Sequence, residues 1–219
     1  NILIGTIIAS FEAGAVSYLY YADRIYQINL AIAGIAVGTV SLPVLSKAFK
    51  NKNLKKLSNI QSKSFELSLL LSIPASIGLI LASEEIVNAL FGYGSFSTED
   101  VKFTADALKY FGFGVPAFAL IKILSNFFFA RDNTKIPFYI SILMVIINVS
   151  ISVSLFKNLG FIIIPIATSI ATWIGVLFYL YLLKQKNFLL FNNQIIPNFL
   201  KILISTIIMS VSYTHLRAH

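Results

Sequence analysis

The sequence contains no cysteine, and histidine occurs only twice among its 219 residues. Without cysteine the chain cannot form disulfides, thiolate nucleophiles or cysteine-based metal sites. Charge is scarce as well, because Asp, Glu, Lys and Arg make up only 12% of the chain. A soluble domain carries about twice that share and needs it to cover its surface with polar groups. These absences exclude an ordinary soluble globular protein.

Hydrophobic residues supply 57% of the chain and give it a mean hydropathy of +0.82. A bilayer accepts Ile, Leu, Phe and Val at the protein surface, so this composition predicts a membrane protein. The net charge of +8 would suggest nucleic-acid binding in a soluble protein. Here the lysines lie mainly in short loops between apolar runs, which indicates membrane orientation. We expect no nucleic-acid partner.

Seven apolar segments are candidates for membrane-spanning helices, which need about 20 residues each. They lie near residues 1–11, 17–45, 65–91, 104–130, 137–156, 160–183 and 197–211. The runs are too long for barrel strands and show no period-2 alternation. The sequence therefore predicts an all-α transmembrane bundle of about seven spans, forming one membrane domain over residues 1–211.

Both ends of the chain have unusual features. The first residue is Asn1, and the residues after it already resemble the inside of an apolar helix. We expect a fragment that begins within a longer protein, and no signal peptide. Residues 212–219 contain both histidines and stop the last apolar run abruptly. We predict that these eight residues are a non-native tail.

Positive charge alternates from one loop to the next. The loops after the second, fourth and sixth spans are basic, with Lys47, Lys50, Lys52, Lys55, Lys56, Lys63, Arg131, Lys135, Lys184 and Lys186. Most of the acidic residues lie in the other loops, namely Glu12, Glu84, Glu85, Glu99 and Asp100. The positive-inside rule then places the basic loops in the cytoplasm.

Within residues 46–64, three apolar residues recur at helical spacing among the lysines: Leu54, Leu57 and Ile60. Two interpretations are open. One is a short amphipathic helix that lies on the anionic cytoplasmic face of the membrane. The other is a solvated charged loop.

An ionisable pair, Asp23 and Arg24, lies inside the second predicted span. Burying either residue costs at least about 2.5 kcal/mol, so such residues usually face a cavity or a partner. At about 100° per residue, Ser17, Tyr20, Arg24 and Gln27 share one helix face, and Asp23 lies beside it. A guanidinium among hydroxyl and amide groups suits a diphosphate. The alternative is an interhelical Asp–Arg salt bridge near the outer boundary, with the arginine snorkelling.

Further along the same span, Gly34 and Gly38 form a small-xxx-small pattern. Such a pattern allows two helices to approach closely in a membrane. It predicts helix packing and carries no information on a substrate.

Four stretches of the chain, taken together, resemble the MurJ/MviN family of lipid II flippases. They are residues 14–25, 33–46, 91–97 and 129–137, within a similarity that runs in order over most of residues 5–190. The family belongs to the superfamily of multidrug and polysaccharide exporters. The resemblance implies one lobe of a two-lobed, fourteen-helix transporter of the bacterial inner membrane. This chain would extend from the end of helix 7 to the start of helix 13, without the N-terminal lobe.

The resemblance also implies a central cationic cavity for the headgroup of lipid II, the undecaprenyl-diphosphate-linked precursor of peptidoglycan. Access to this cavity would alternate across the membrane, with lipid II and membrane lipids as the expected partners. On this interpretation Arg24 contacts the diphosphate, while Ser17, Asp23 and Gln27 lie nearby. The family often has a glutamate at the position of Gln27. Lys122, in the fourth span, either lines the cavity as a second cation, snorkels, or pairs with a carboxylate.

The resemblance further implies a sodium ion, which some relatives hold between helices 7, 11 and 12. The matching positions here are Asn148, Ser152 and Thr168, whose oxygen atoms suit a hard cation. In the family pattern a carboxylate is expected at the position of Ser152, and helix 7 offers a second carboxylate roughly where Gly5 stands. Neither carboxylate is present here. The alternative is that these polar residues form hydrogen bonds between helices. No other cofactor is expected.

Three classes of function compete. The first is lipid II translocation. The second is another exporter of the superfamily, for a different lipid-linked glycan or a drug cation. A cation exporter would offer buried carboxylates, whereas this chain offers Arg24 and Lys122. The third is a membrane enzyme or a scaffold. We expect no enzyme, because the membrane segments contain no clustered His, Asp or Glu residues.

Overall fold

The computed structural model describes the backbone of residues 2–192 and 194–217, and the side chains of residues 4–192 and 194–215. This part of the chain is helical and contains no strand, which confirms the all-α class. Its α-helices are α1 (Ile2–Ala9), α2 (Ala15–Leu30), α3 (Val37–Lys50), α4 (Leu54–Leu81), α5 (Ser83–Phe91), α6 (Thr98–Gly112), α7 (Val115–Phe129), α8 (Lys135–Leu159), α9 (Ile163–Gln185) and α10 (Ile195–Arg217). Helix α10 continues through residues 212–217 of the predicted tail, and residues 218 and 219 lie outside the described residues. That the tail is non-native stays a prediction.

Several helical stretches of the described chain are long and apolar enough to cross a membrane. They are Ala15–Lys50, Leu54–Leu81, Lys135–Gln185 and Ile195–His215, and α6 with α7 adds a further span bent by 41°. Lys135–Gln185 is not one rod, because the chain turns back at Gly160, where φ is 62°, and α8 packs along α9. It therefore contains the fifth and sixth predicted spans. The chain is a multi-pass membrane protein, although α1, with eight residues, is too short to span alone.

The prediction for residues 46–91 was wrong in two respects. First, Leu54, Leu57 and Ile60 form neither a separate surface helix nor a loop, because α4 runs without a break from Leu54 to Leu81. Leu57 is buried in the bundle, so tertiary packing extends the span into the lysine-rich segment. Second, the predicted third span ends early, because α4 stops at Leu81 and the polar residues that begin at Ser83 start the short helix α5.

Helices α2 and α3 form one rod of 36 residues that contains a π-helical stretch, Ala31–Ala36. Side chains of neighbouring helices bond to the backbone within this stretch and just beyond it. The hydroxyl of Ser68 on α4 donates to the carbonyl of Ala33 at 3.0 Å, and the amide of Asn126 on α7 donates to that of Gly38 at 2.7 Å. The close helix contact predicted from Gly34 and Gly38 is confirmed. A Cβ atom added to Gly34 would lie 3.1 Å from the Cα atom of Ala119.

The loops meet at two opposite ends of the bundle, as the charge alternation predicts. At the basic end, Arg131 donates to the Phe188 carbonyl at 3.2 Å and lies over the ring of Phe49. At the other end, the carboxylate of Glu12 accepts the backbone N–H of Phe161 at 2.7 Å. Glu12 thus ties the first turn of the chain to the turn between α8 and α9. By the positive-inside rule the end with Arg131 is cytoplasmic.

The apolar core consists of two clusters, one toward each end. The outer cluster includes Ile25 and Tyr26 of α2, and the Tyr26 ring stacks on Phe111 with centroids 5.1 Å apart. The inner cluster includes Phe128 of α7 and Tyr179 of α9, with centroids 6.0 Å apart. These contacts fix one side of α2 and α7 and leave their other sides open for the residues described next.

Candidate functional site

Helix α2 has one buried and one open face. Buried small and apolar residues define the first, namely Ala15, Ala22, Ile25 and Tyr26. Ser17, Tyr20 and Arg24 are exposed on the other, and Gln27 is half-buried at its edge. The structure therefore brings together the four residues expected to share a face. Their role in substrate binding stays a prediction.

Arg24 makes its contacts within α2 and forms no ion pair with Asp23. Its guanidinium carbon lies 4.6 Å from the centre of the Tyr20 ring, a cation–π contact. The Asp23 carboxylate instead accepts a hydrogen bond from the Gln27 amide. Among the described residues, Arg24 has no ion-pair partner, so the interhelical Asp–Arg salt bridge is not formed. The guanidinium keeps its donors available on the open face.

Arg24 lies well inside the span. It is the tenth residue of the rod that begins at Ala15, so it is about 14 Å along the axis from the outer end. A cation at that depth faces water, a cavity or an anionic partner. The Tyr20 ring covers part of one face of the guanidinium. It leaves free the N–H edge that pairs bidentately with phosphate oxygens.

Lys122 is exposed on α7, next to the π-helical stretch of the α2–α3 rod. Its Cγ lies 3.6 Å from where a Cβ of Gly34 would be, and its Cβ lies 3.8 Å from the corresponding point of Gly38. The two glycines thus make room for the stem of Lys122 as well as for the helix crossing. Among the described residues Lys122 has no carboxylate partner, so that alternative is not observed. Gly34 follows Arg24 by ten residues, which separates the two cations by about 15 Å along the rod.

Sequence reasoning missed the residues that support this rod, Ser68 and Asn126. The sequence does contain a signal for Ser68, because Ser64, Ser68, Ser72 and Ser76 recur at every fourth position of α4 and all are buried. Such a stripe places hydroxyls along one helix face. Ser68 and Ser76 donate to carbonyls of other helices, Ala33 and Gly112. For Asn126 the sequence contains no comparable pattern.

Two of the three residues proposed for sodium, Asn148 and Thr168, are in contact across α8 and α9, and the ion itself stays a prediction. The Asn148 amide donates to the Thr168 hydroxyl at 2.9 Å, and that hydroxyl donates to the Ile164 carbonyl at 2.7 Å. The Thr168 hydroxyl is therefore already engaged on both sides, whereas Asn148 uses its amide N–H in this bond. The Ser152 hydroxyl is buried without a partner. Gly5 packs near Ile164 and offers no side-chain oxygen.

A sodium ion takes several oxygen ligands, commonly with a carboxylate among them to balance its charge. Here the side chains at the contact are neutral, and the described residues contain no cluster of three His, Cys, Asp or Glu residues that could hold a metal. The hydrogen-bonding interpretation agrees with the Asn148–Thr168 bond.

Comparison with known proteins gives a consistent result. A model of the family described as lipid II flippase MurJ matches residues 1–218. A probable lipid II flippase MurJ of Rhizobium meliloti (strain 1021) is 44% identical over 177 residues, which cover 81% of this chain and 33% of the relative. One of Rickettsia prowazekii (strain Madrid E) is 41% identical over 186 residues, with coverage of 84% and 37%.

Among solved structures, the chain is similar to one described as lipid II flippase MurJ in an inward closed conformation. The TM-score is 0.85 at 29% sequence identity, and the match covers 95% of this chain and 43% of that one. The chain thus spans between a third and a half of the length of these relatives.

Proposed function

This chain belongs to the MurJ family of lipid II flippases, and from that premise we propose that it is part of a protein that moves lipid II across a bacterial inner membrane. Transport would run from the cytoplasmic to the outer leaflet by alternating access. The proposal rests on the environment of Arg24, which has no ion-pair partner among the described residues. It lies on the open face of a membrane-spanning rod.

The substrate headgroup carries a diphosphate, which is large, polar and doubly anionic. Moving it through hydrocarbon without compensation costs far more than a protein can recover elsewhere. A guanidinium replaces water by donating two parallel hydrogen bonds to phosphate oxygens and stays charged throughout. In this proposal Arg24 holds the diphosphate, Ser17 and Gln27 contact the polar headgroup, and Asp23 keeps Gln27 oriented through their hydrogen bond.

Lys122 would provide a second cationic position nearer the cytoplasmic end. It lies alongside Gly34 and Gly38, about 15 Å along the rod from Arg24. A headgroup entering from the cytoplasm would meet Lys122 first and Arg24 later. This order supports a path along the α2–α3 rod, which the other lobe of the full protein would close from the opposite side.

The family places this activity among transporters, and we propose that no catalytic step accompanies it. Alternating access needs two states of nearly equal free energy, separated by movement of one packed unit against another. The substrate then moves without covalent change. A different lipid-linked glycan carries the same diphosphate and is the main competitor as substrate.

The test is complementation in bacteria depleted of their own lipid II flippase. Cells would receive the full-length parent gene in native form, as Arg24→Ala, or as Arg24→Lys, at matched membrane levels. We expect growth with the native gene, lysis with Arg24→Ala and partial rescue with Arg24→Lys, which keeps charge but loses the bidentate fork. Lys157→Ala, at the outer end of α8, is the control and should grow normally.

Two outcomes would change the proposal. Growth of Arg24→Ala at the native rate would reduce Arg24 to a structural residue while leaving the function intact. Failure of a well-inserted native protein to sustain growth would overturn lipid II as the substrate and point to another lipid-linked glycan.

A further inference from the structure

A groove with a volume of about 480 Å³ lies where α7 ends and α8 begins, at the basic end of the bundle. Six residues line it: Phe129, Thr134, Lys135, Pro137, Phe138 and Ser141. Its size falls within the range of sites that bind small organic molecules. The function proposed above makes no use of this groove.

The groove is polar at one end and apolar along its length. Lys135, the first residue of α8, is exposed and has no ion-pair partner among the described residues. Asp132, the acidic residue nearest to it in sequence, does not pair with it. Farther along α8 the Ser141 hydroxyl donates to the Pro137 carbonyl of its own helix at 2.8 Å. Together with Phe138, that part of the groove therefore presents mainly carbon atoms.

The groove opens on a side of α8 that the other described helices leave free. α8 packs along α9, and apolar residues on its remaining surface are exposed, among them Phe138 at 62%, Tyr139 at 65% and Ile146 at 57%. An apolar surface of this kind on a membrane-spanning helix suits contact with lipid. Tyr139 at the cytoplasmic boundary is typical of an aromatic residue at headgroup level.

We propose that this groove binds one anionic phospholipid of the cytoplasmic leaflet. The lipid phosphate contacts the ammonium of Lys135, and an acyl chain lies along Phe138 and Phe129. Charge complementarity selects the headgroup, since this end of the bundle also carries the basic segments 46–64 and 184–186 and anionic lipids concentrate beside such segments. The inference depends on the membrane orientation of the chain and not on what the flippase transports.

The experiment uses the full-length protein in vesicles, with its native tryptophans replaced by phenylalanine, including Trp173→Phe. Tyr139→Trp then serves as the reporter beside the groove. Its fluorescence is quenched by phosphatidylglycerol or phosphatidylcholine with brominated acyl chains, mixed with unbrominated lipid of the other type. The competition gives the relative affinity of the two lipids at that position. Leu155→Trp reports on the opposite end of the same helix, beside Lys157.

We expect phosphatidylglycerol to be preferred about fivefold at the Tyr139→Trp position. A preference of this size is expected from the attraction between one lysine and an anionic membrane surface. At the Leu155→Trp position the preference should be close to one. Lys135→Ala should abolish the preference at the first reporter, Lys135→Arg should keep it, and Lys157→Ala should have no effect. Lys135 is exposed, so these substitutions leave the fold intact, and the unchanged second reporter checks this.

Three results would overturn the proposal. Equal quenching by both lipids at Tyr139→Trp would show that the groove does not select charge. A preference that survives Lys135→Ala would assign the selection to other lysines. Absence of quenching by either lipid would show that another protein segment covers the groove.

Discussion

The guanidinium carbon of Arg131 lies 4.5 Å from the centre of the Phe188 ring, and Arg131 also donates to the Phe188 carbonyl at 3.2 Å. Gln61, completely buried, holds the same stretch. Its amide donates to the Phe188 carbonyl at 3.0 Å and accepts the N–H of Leu190 at 2.9 Å. These contacts fix residues 187–192, which we name the strap, to α4 and to the turn after α7. The strap is therefore a packed part of the cytoplasmic end.

Arg131→Ala should destabilise the protein by about 2–3 kcal/mol, because it removes two hydrogen bonds to carbonyls and two cation–π interactions. The guanidinium bonds to the carbonyls of Phe127 and Phe188 and lies over the rings of Phe49 and Phe188. Burial lowers the pKa of this guanidinium, but arginine stays charged at any physiological pH, so no pH dependence is expected near neutrality. Thermal unfolding of the full-length protein in detergent measures the destabilisation. Lys186→Ala, exposed beside the strap, is the control, and an equal destabilisation there would contradict the assignment.

Gly34→Ala should destabilise the protein, whereas Gly78→Ala should not. A Cβ at Gly34 would meet the Cα of Ala119 at 3.1 Å, whereas a Cβ at Gly78 would meet nothing within 4 Å. We expect Gly34→Ala to cost about 1–3 kcal/mol through overpacking and Gly78→Ala to be neutral or stabilising by up to about 1 kcal/mol. Unfolding temperatures of the two variants test this. Similar temperatures would mean that the α2–α3 rod does not cross α7 at Gly34.

Asn126→Ala should cost about 1–2 kcal/mol, because the Gly38 carbonyl loses its donor from α7 in a buried contact. Ser125→Ala is the matched control one position earlier. Its hydroxyl donates only within α7, to the Lys122 carbonyl at 3.0 Å, so its removal should cost less than about 0.5 kcal/mol. Unfolding in a chemical denaturant compares the two. Should Asn126→Ala match its neighbour, the packing of α3 against α7 would not depend on this hydrogen bond.

Sodium should not stabilise the protein specifically. The unfolding temperature in sodium chloride should equal that in potassium chloride at the same ionic strength, because the side chains at this contact are neutral and the Thr168 hydroxyl is already hydrogen-bonded. Ser152→Ala should be neutral or slightly stabilising, since the buried hydroxyl has no partner to lose. Thr168→Val should cost about 1–3 kcal/mol by leaving the Asn148 amide unpaired. A rise of the unfolding temperature in sodium alone, abolished by Ser152→Ala, would establish an ion at this contact.

Much of the fold follows from the sequence, because lipid removes the need for polar cover and leaves long apolar runs as a direct signal of spans. The spans from residue 104 onward and the face shared by Ser17, Tyr20, Arg24 and Gln27 needed only the length of apolar runs and helix periodicity. The limits of α4 did not follow. Whether Leu54–Ile60 continues a helix depends on the packing of Leu57 in the core, and a local pattern of lysines and leucines does not contain that information.

The sequence by itself determined that this is an all-α membrane protein, which loops share an end, and which helix carries an intramembrane arginine. Composition, helical periodicity and charge are properties of the sequence itself, so they can be determined without coordinates. The structure shows that Asp23 pairs with Gln27 within α2 and leaves Arg24 open. Only the packing of separate helices decided that Lys122 lies against Gly34 and that Asn148 bonds to Thr168. The last two contacts join residues that are far apart in the sequence, and the distances between them are set only when separate helices pack.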